Sequence, residues 1–142
     1  MENYENTAPR RENLKSPEEI AKENFNKWND ALLTKDAKKV AMLYSADCTF
    51  LPTLSDEFKE GQHGAEKYFK HFLEKVPSGE IVQEKIQPLG ENCYLHSGMY
   101  NFTVGPDQDR KTVEARFTFA WQKDEQSEWK IVHHHSSLKP KE

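Results

Sequence analysis

From Val113 to Trp121 the chain alternates: Val113, Ala115, Phe117, Phe119 and Trp121 are apolar, with Glu114, Arg116 and Thr118 among the residues between them. A period of two sends successive side chains to opposite faces, so this stretch reads as a strand with one face buried. Residues 123–127 (Lys-Asp-Glu-Gln-Ser) are short and polar, which makes them a turn. A second strand follows in Trp129-Lys-Ile-Val-His-His-His-Ser-Ser. Two strands of this length have a face that must be kept from water, and the rest of the chain has to supply the cover.

The upstream chain reads as helices first and strands afterwards. Residues 1–15 are polar, hold too little apolar surface to offset the entropy of ordering, and read as a flexible tail. Ser16-Pro17-Glu18-Glu19 is a helix start: the Ser16 hydroxyl can accept from the Glu19 amide, Glu19 can reach back, and Pro17 suits the first turn. Ile20, Ala21, Asn24, Phe25, Trp28, Ala31 and Leu32 then recur at helical spacing, up to Thr34-Lys35. Asp36 can cap a short second helix running through Val40, Ala41, Leu43 and Tyr44. Residues 47–51 read as a strand stopped by Pro52, and residues 53–63 as a loop. A third helix spans about residues 64–75, with Ala65, Tyr68, Phe69, Phe72 and Leu73 on one stripe, ended by Pro77-Ser78-Gly79. Strands are expected at residues 81–87 and 93–104, with Tyr94, His96, Gly98, Tyr100 and Phe102 sharing one face. The order α-α-β-α-β-β-β-β describes an α+β layer, helices packed on a strongly curved antiparallel sheet. The open end of such a cone is a natural pocket.

The balance of the chain narrows its partners. Its formal net charge is −4 and no basic block or stripe is present, so nucleic acid is not an expected partner. No apolar run suggests a signal peptide or a membrane span, and a cytoplasmic protein without a membrane partner is expected. Cys48 and Cys93, the two cysteines, lack CxxC spacing and read as free thiols.

Among residues that could carry chemistry, His133-His134-His135 stands out. His133 and His135 share one strand face and His134 takes the other. A metal would need a third ligand from His96, His63 or a carboxylate, which the spacing does not supply; no metal is expected. The simpler reading is that these histidines fill a half-polar sheet face or a subunit interface, which their titration near neutrality would make pH-sensitive. Arg116 could clamp a carboxylate in two-point geometry, or pair with Glu114 or a glutamate of a second subunit. Tyr44, Tyr94 and Tyr100 could offer hydroxyls to a cavity. Asp47 and Asp56 lie near the first strand and are acid–base candidates by position, although Asp47 is as easily a turn residue. No Ser/His/Asp order, nucleophile elbow or phosphate loop is present, so no catalytic residue and no cofactor is assigned.

The motif Ala115-Arg-Phe-Thr-Phe-Ala-Trp121, the turn, Trp129-Lys-Ile-Val-His-His-His-Ser-Ser137 and Pro140, with Phe25-x-x-Trp28 and Glu60-Gly61, carries a family likeness. The chain resembles the NTF2-like (cystatin-like cone) superfamily over residues 16–140. Within it, the chain is most similar to the association (hub) domain of calcium/calmodulin-dependent protein kinase II and its stand-alone bacterial SgcJ/EcaC or SnoaL-like relatives. The resemblance implies a conical fold and a homodimer formed through the sheet, with rings of dimers as a further step. It implies no kinase activity, since the kinase motifs are absent. The positions that match the arginines of the animal hub pocket hold Gly98, Phe119 and Ser136. The ligand-binding candidates are Arg116, His133, His135, Ser136 and Tyr100.

Three functions follow as expectations. The first is a self-associating module whose outer sheet face binds its own copy, because a mixed Arg/Thr/Ala face beside a histidine strip fits burial better than water. The second is a SnoaL-like or SgcJ-like small-molecule binding protein or enzyme (isomerase, cyclase or oxidoreductase accessory), with a partly apolar cavity for a small organic ligand beneath the first helix. A space packed by Phe25, Trp28 and Phe119 would count against it. The third is a regulatory protein that co-assembles with a partner's hub-type domain.

Overall fold

The computed structural model describes residues 14–141, so most of the expected tail lies outside the described residues. Helix α1 (Pro17–Leu33) begins at the capping box: Ser16 Oγ accepts from the Glu19 amide at 3.1 Å and Glu19 Oε1 accepts from the Ser16 amide at 2.8 Å. Its inner stripe, Ala21, Asn24, Phe25, Trp28 and Leu32, is buried. The polar member of that stripe is satisfied, since Asn24 Nδ2 donates to the Tyr94 hydroxyl at 2.9 Å. Asp36 caps α2 (Ala37–Ala41) by accepting from the Lys38 amide.

The second helix stops short of the expected Tyr44, which opens β1 (Tyr44–Leu51). The reason is tertiary. The Leu43 carbonyl accepts from the Ile131 amide at 2.8 Å and Tyr44 pairs with Ile131, so a distant strand claims the backbone that a helix would have used. A two-residue strand, β2 (Lys59–Glu60), lies in what reads as loop. Gly61 follows it at φ +71°, a left-handed conformation that glycine adopts freely. It turns strand directly into α3 (Gly61–Phe72), which therefore starts before residue 64. A 3₁₀ turn (Leu73–Lys75) ends in Val76, and Arg110 Nη1 donates to the carbonyls of Val76 and Gly105, tying that corner to the later strands.

Four long strands complete the chain: β3 (Ser78–Pro88), β4 (Cys93–Val104), β5 (Lys111–Lys123) and β6 (Trp129–Leu138). The sheet order is β2-β1-β6-β5-β4-β3, which puts the β5–β6 hairpin in the middle. All pairings are antiparallel except one: β1 lies parallel to β6. The helices cover the concave face and Trp28 fills its centre, with ring centroids 5.3–6.4 Å from Phe25, Phe69, Tyr100, Phe102, Phe119 and His134. Cys48 and Cys93 are free thiols. No described helix is long and apolar enough to cross a membrane.

The curvature has a local cause on β3. The register shifts between Ile81 and Gln83, a bulge that bends this edge strand over Gly98. A Cβ at Gly98 would sit 1.9 Å from the Gln83 carbonyl oxygen and 2.8 Å from Glu84 Cα, so only glycine lets the strands approach this closely. The bend also brings Glu84 Oε1 within 2.8 Å of His96 Nε2. Gly98→Ala should cost about 1–3 kcal/mol, because backbone rather than a flexible side chain must yield. Urea denaturation measures the loss, and hydrogen exchange should show β3 opening first. An unchanged midpoint and protected β3 amides would show that the contact can relax freely.

Candidate functional site

Parity along β6 builds the site. Strand β5 turns Phe117, Phe119 and Trp121 inward, and the ladder sets Ser136, His134 and Ile131 opposite them. Ser136 and His134 are two residues apart, but His134 and Ile131 are three. The register shift between Ala120 and Trp121 absorbs Val132 as the extra residue of a bulge. Without it, the inward parity of Ile131 would carry His133 and His135 into the core. With it, His134 goes in and its two neighbours go out.

His134 is 2% exposed. Its ring stands in a row with Phe50 of β1 and Phe119 of β5, stacked on them at centroid distances of 4.8 and 4.1 Å. Burial lowers its pKa well below that of free histidine, and the neighbouring His133 and His135 add to this, so the buried ring is neutral.

The hydrogen bonds around it have one direction. Trp28 Nε1 has no acceptor capacity and donates to the Tyr44 hydroxyl oxygen at 3.1 Å. The Tyr44 hydroxyl hydrogen goes to His134 Nδ1, 2.9 Å away, because Tyr100 spends its own hydrogen on Ser136 and leaves His134 Nε2 no donor to accept from. A neutral imidazole that accepts at Nδ1 carries its hydrogen on Nε2. Nε2 donates to the Tyr100 hydroxyl at 3.2 Å, and Tyr100 donates to Ser136 Oγ at 2.6 Å. Ser136 Oγ in turn shares a hydrogen bond of 2.5 Å with Thr53 Oγ1. Burial raises the pKa of both tyrosines, so the chain is neutral from end to end.

This chain ends at a cavity of about 190 Å³ between α3, the β1–β2 loop and the inner sheet face. Tyr100, His134 and Ser136, all buried, form its closed polar end. Phe50, Phe69, Phe72 and Phe102 wall it, and the exposed Leu54, His71 and Lys75 mark its open side. The aromatic stripe of α3 thus serves both as core and as cavity wall. The space beneath α1 is filled: Phe25, Trp28 and Phe119 are at most 5% exposed and pack ring against ring. The cavity lies beside α3, not beneath the first helix.

The structure divides the sequence candidates. Tyr100 and Ser136 meet at the closed end of the cavity. Arg116, His133 and His135 lie on the opposite, outer face, where their ladder partners are Ser137, Ala120 and Thr118, and so cannot touch a ligand in the cone. Arg116 Nη2 lies 3.5 Å from Ser137 Oγ, and His133 Nδ1 lies 2.7 Å from Thr49 Oγ1. Burial and the adjacent His135 lower the His133 pKa. His134, which is not among the ligand-binding candidates that the sequence offers, holds the centre. Its signal was the inward Phe119 opposite it, but which β6 residue faces Phe119 depends on the bulge. Asp47 and Asp56 are exposed and outside the cone. Among the described residues no three histidine, cysteine or carboxylate side chains gather as metal ligands. His96 is buried on the inner face and held by Glu84, apart from the outer histidines.

Comparison with known proteins places this geometry. The model of the calcium/calmodulin dependent protein kinase II association domain matches residues 17–140. A solved structure from Xanthomonas campestris, named for the same association domain, is 37% identical, with 87% of this chain and 88% of that one covered and a TM-score of 0.82. An NTF2-like protein with a cystatin-like fold from Novosphingobium aromaticivorans superposes with a TM-score of 0.75 at 12% identity, covering 96% of this chain and 90% of its own. An NTF2-like superfamily protein from Salmonella enterica serovar Typhimurium gives 0.72 at 20% identity, covering 88% and 92%. The last two share the fold alone. No functionally curated protein matches the chain.

Proposed function

The chain belongs to the calcium/calmodulin dependent protein kinase II association domain family, and from that premise we propose that it is a self-associating module whose outer sheet face binds a second copy of itself. The observation that carries this is the composition of that face at its centre. Leu95, Ser97, Met99, Thr118, Ala120 and His133 point away from the helices and are each half-buried on their own sheet. They are small or medium, apolar or neutral hydrogen-bonding groups. Charge is confined to the surround, at Glu114, Arg116 and Lys85. A depleted-charge centre inside a polar rim is the anatomy of a protein interface.

Sedimentation velocity tests it. The protein should run as a dimer or a larger closed assembly at micromolar concentration. Thr118→Arg places a charge between Ser97 and His135 on the adjacent strands. It should yield a monomer with unchanged circular dichroism, since an exposed-face substitution costs the monomer within about 0.5 kcal/mol. A wild-type protein that is monomeric at these concentrations would sink the proposal.

A second reading has its own observation. The cavity beside α3, closed and polar at one end and open at the other, has the size and lining to take a small molecule, and self-association through the outer face leaves it accessible. It makes the protein a ligand-binding module as well as an assembling one.

A further inference from the structure

We propose that the cavity takes a compact neutral carbonyl compound, a single ring carrying one acceptor oxygen, with that oxygen turned inward to the Ser136–Thr53 hydroxyl pair. The inference rests on the reading of the cavity as a small-molecule site and says what chemistry it selects.

Direction is the first argument. Each link from Trp28 through Tyr44, His134 and Tyr100 hands a hydrogen toward the cavity, because Tyr100 spends its one hydrogen on Ser136 and can only accept from His134 Nε2, which leaves Nδ1 to accept from Tyr44. Tyr100 delivers its hydrogen to Ser136. Ser136 and Thr53 then share one hydrogen bond between two hydroxyls. Whichever donates to the other, one hydroxyl hydrogen of the pair has no taker among the described residues. The cavity therefore presents a donor, and a chain of aligned donors polarises its last member. The matching ligand group is an acceptor.

Charge and size are the second and third arguments. The groups at the closed end are neutral, and among the described residues no arginine or lysine reaches it: Lys75 lies at the open side and Arg116 is on the other face. A carboxylate turned inward would lose its water with no cation to replace it. Turned outward toward Lys75, it would leave the hydroxyl donor facing hydrocarbon, which also has a cost. A cavity of about 190 Å³ suits one substituted ring, given that an apolar cavity of about 150 Å³ holds benzene.

The experiment titrates the whole protein with three ligands of one shape: acetophenone, ethylbenzene and benzoate, at pH 7.5. Affinity is read from amide chemical shifts, with Tyr100 and Ser136 reporting on the cavity. Acetophenone should bind about tenfold more tightly than ethylbenzene, the worth of one well-placed hydrogen bond, and benzoate no more tightly than ethylbenzene. The Thr53→Val, Ser136→Ala double variant should shrink the ketone's advantage to about threefold or less. Should the variant fail to fold, the wild-type series decides by itself. Equal affinity of acetophenone and ethylbenzene would overturn the donor assignment while leaving a cavity that binds apolar molecules. Benzoate binding most tightly would overturn the neutral class. Binding of none of the three at millimolar concentration would overturn the cavity reading, and this inference with it.

Discussion

Trp28→Ala should remove about 3–5 kcal/mol of stability, most of what holds an ordinary domain together. The indole is 1% exposed and packs against rings from α1, α3 and three neighbouring strands, stacked flat on Tyr100 with 6° between the ring planes. It touches the helical layer and the inner row of Phe102, Tyr100, Phe119 and His134 at once. Its removal opens a void in a rigid aromatic shell that collapses poorly, and it orphans the Tyr44 oxygen that accepts from Nε1. Urea denaturation followed by circular dichroism should show either a large drop in midpoint or no cooperative transition. Trp28→Phe should fall between, keeping most of the packing and losing the donor. A drop of less than about 1.5 kcal/mol in the alanine variant would mean that the concave layer does not depend on this ring.

Acid should unfold the protein early, and His134 should be a main cause. The ring is neutral in the fold because burial lowers its pKa far below the ordinary value, while in the unfolded chain it titrates near 6.5. As the pH falls through about 6.5, the unfolded state takes up a proton that the folded state refuses. From there each pH unit costs about 1.4 kcal/mol, until the depressed folded value is reached. Above pH 7 both states hold a neutral ring and the contribution is flat. His96 acts in the same direction, since burial lowers its pKa, with Glu84 partly opposing. His133 adds a smaller share on the outer face. His134→Phe isolates the effect. At pH 8 it should be less stable than the wild type, because the Tyr44 hydroxyl loses its acceptor. Its stability between pH 6.5 and 4.5 should nonetheless fall by about one proton's slope less. Parallel curves for the two proteins over that range would show that His134 accepts a proton while folded.

Much of the architecture can be read before any contact is known, and the reason is local. The capping box at Ser16 and Glu19 is satisfied within four residues, so the pattern alone marks the helix start. The strict alternation in β5 and the face shared by Tyr94, His96, Tyr100 and Phe102 in β4 need only the two-residue period of a strand. The misreadings arise where pairing with another strand or a special backbone angle overrides the local pattern. Tyr44 follows a helical stripe and becomes a strand because β6 lies beside it. Lys59 and Glu60 have no strand signal and pair only because β1 offers an edge. Gly61 looked like loop and is a corner.

The candidate site shows the same division more sharply. Composition and periodicity determine an aromatic-lined curved sheet under a layer of helices, a β5–β6 hairpin that closes the chain, and a histidine run that must divide between two faces. They do not determine which histidine goes inward. That depends on Val132 bulging out of the ladder, and the bulge is set by the pairing of β6 with strands on both sides, β1 and β5, at once. One residue of slip exchanges every side chain between core and outer face, and no local propensity senses it. Tertiary structure therefore decided that His134 and Ser136 complete the cavity with Tyr100, while Arg116, His133 and His135 belong to the surface proposed to meet a second copy.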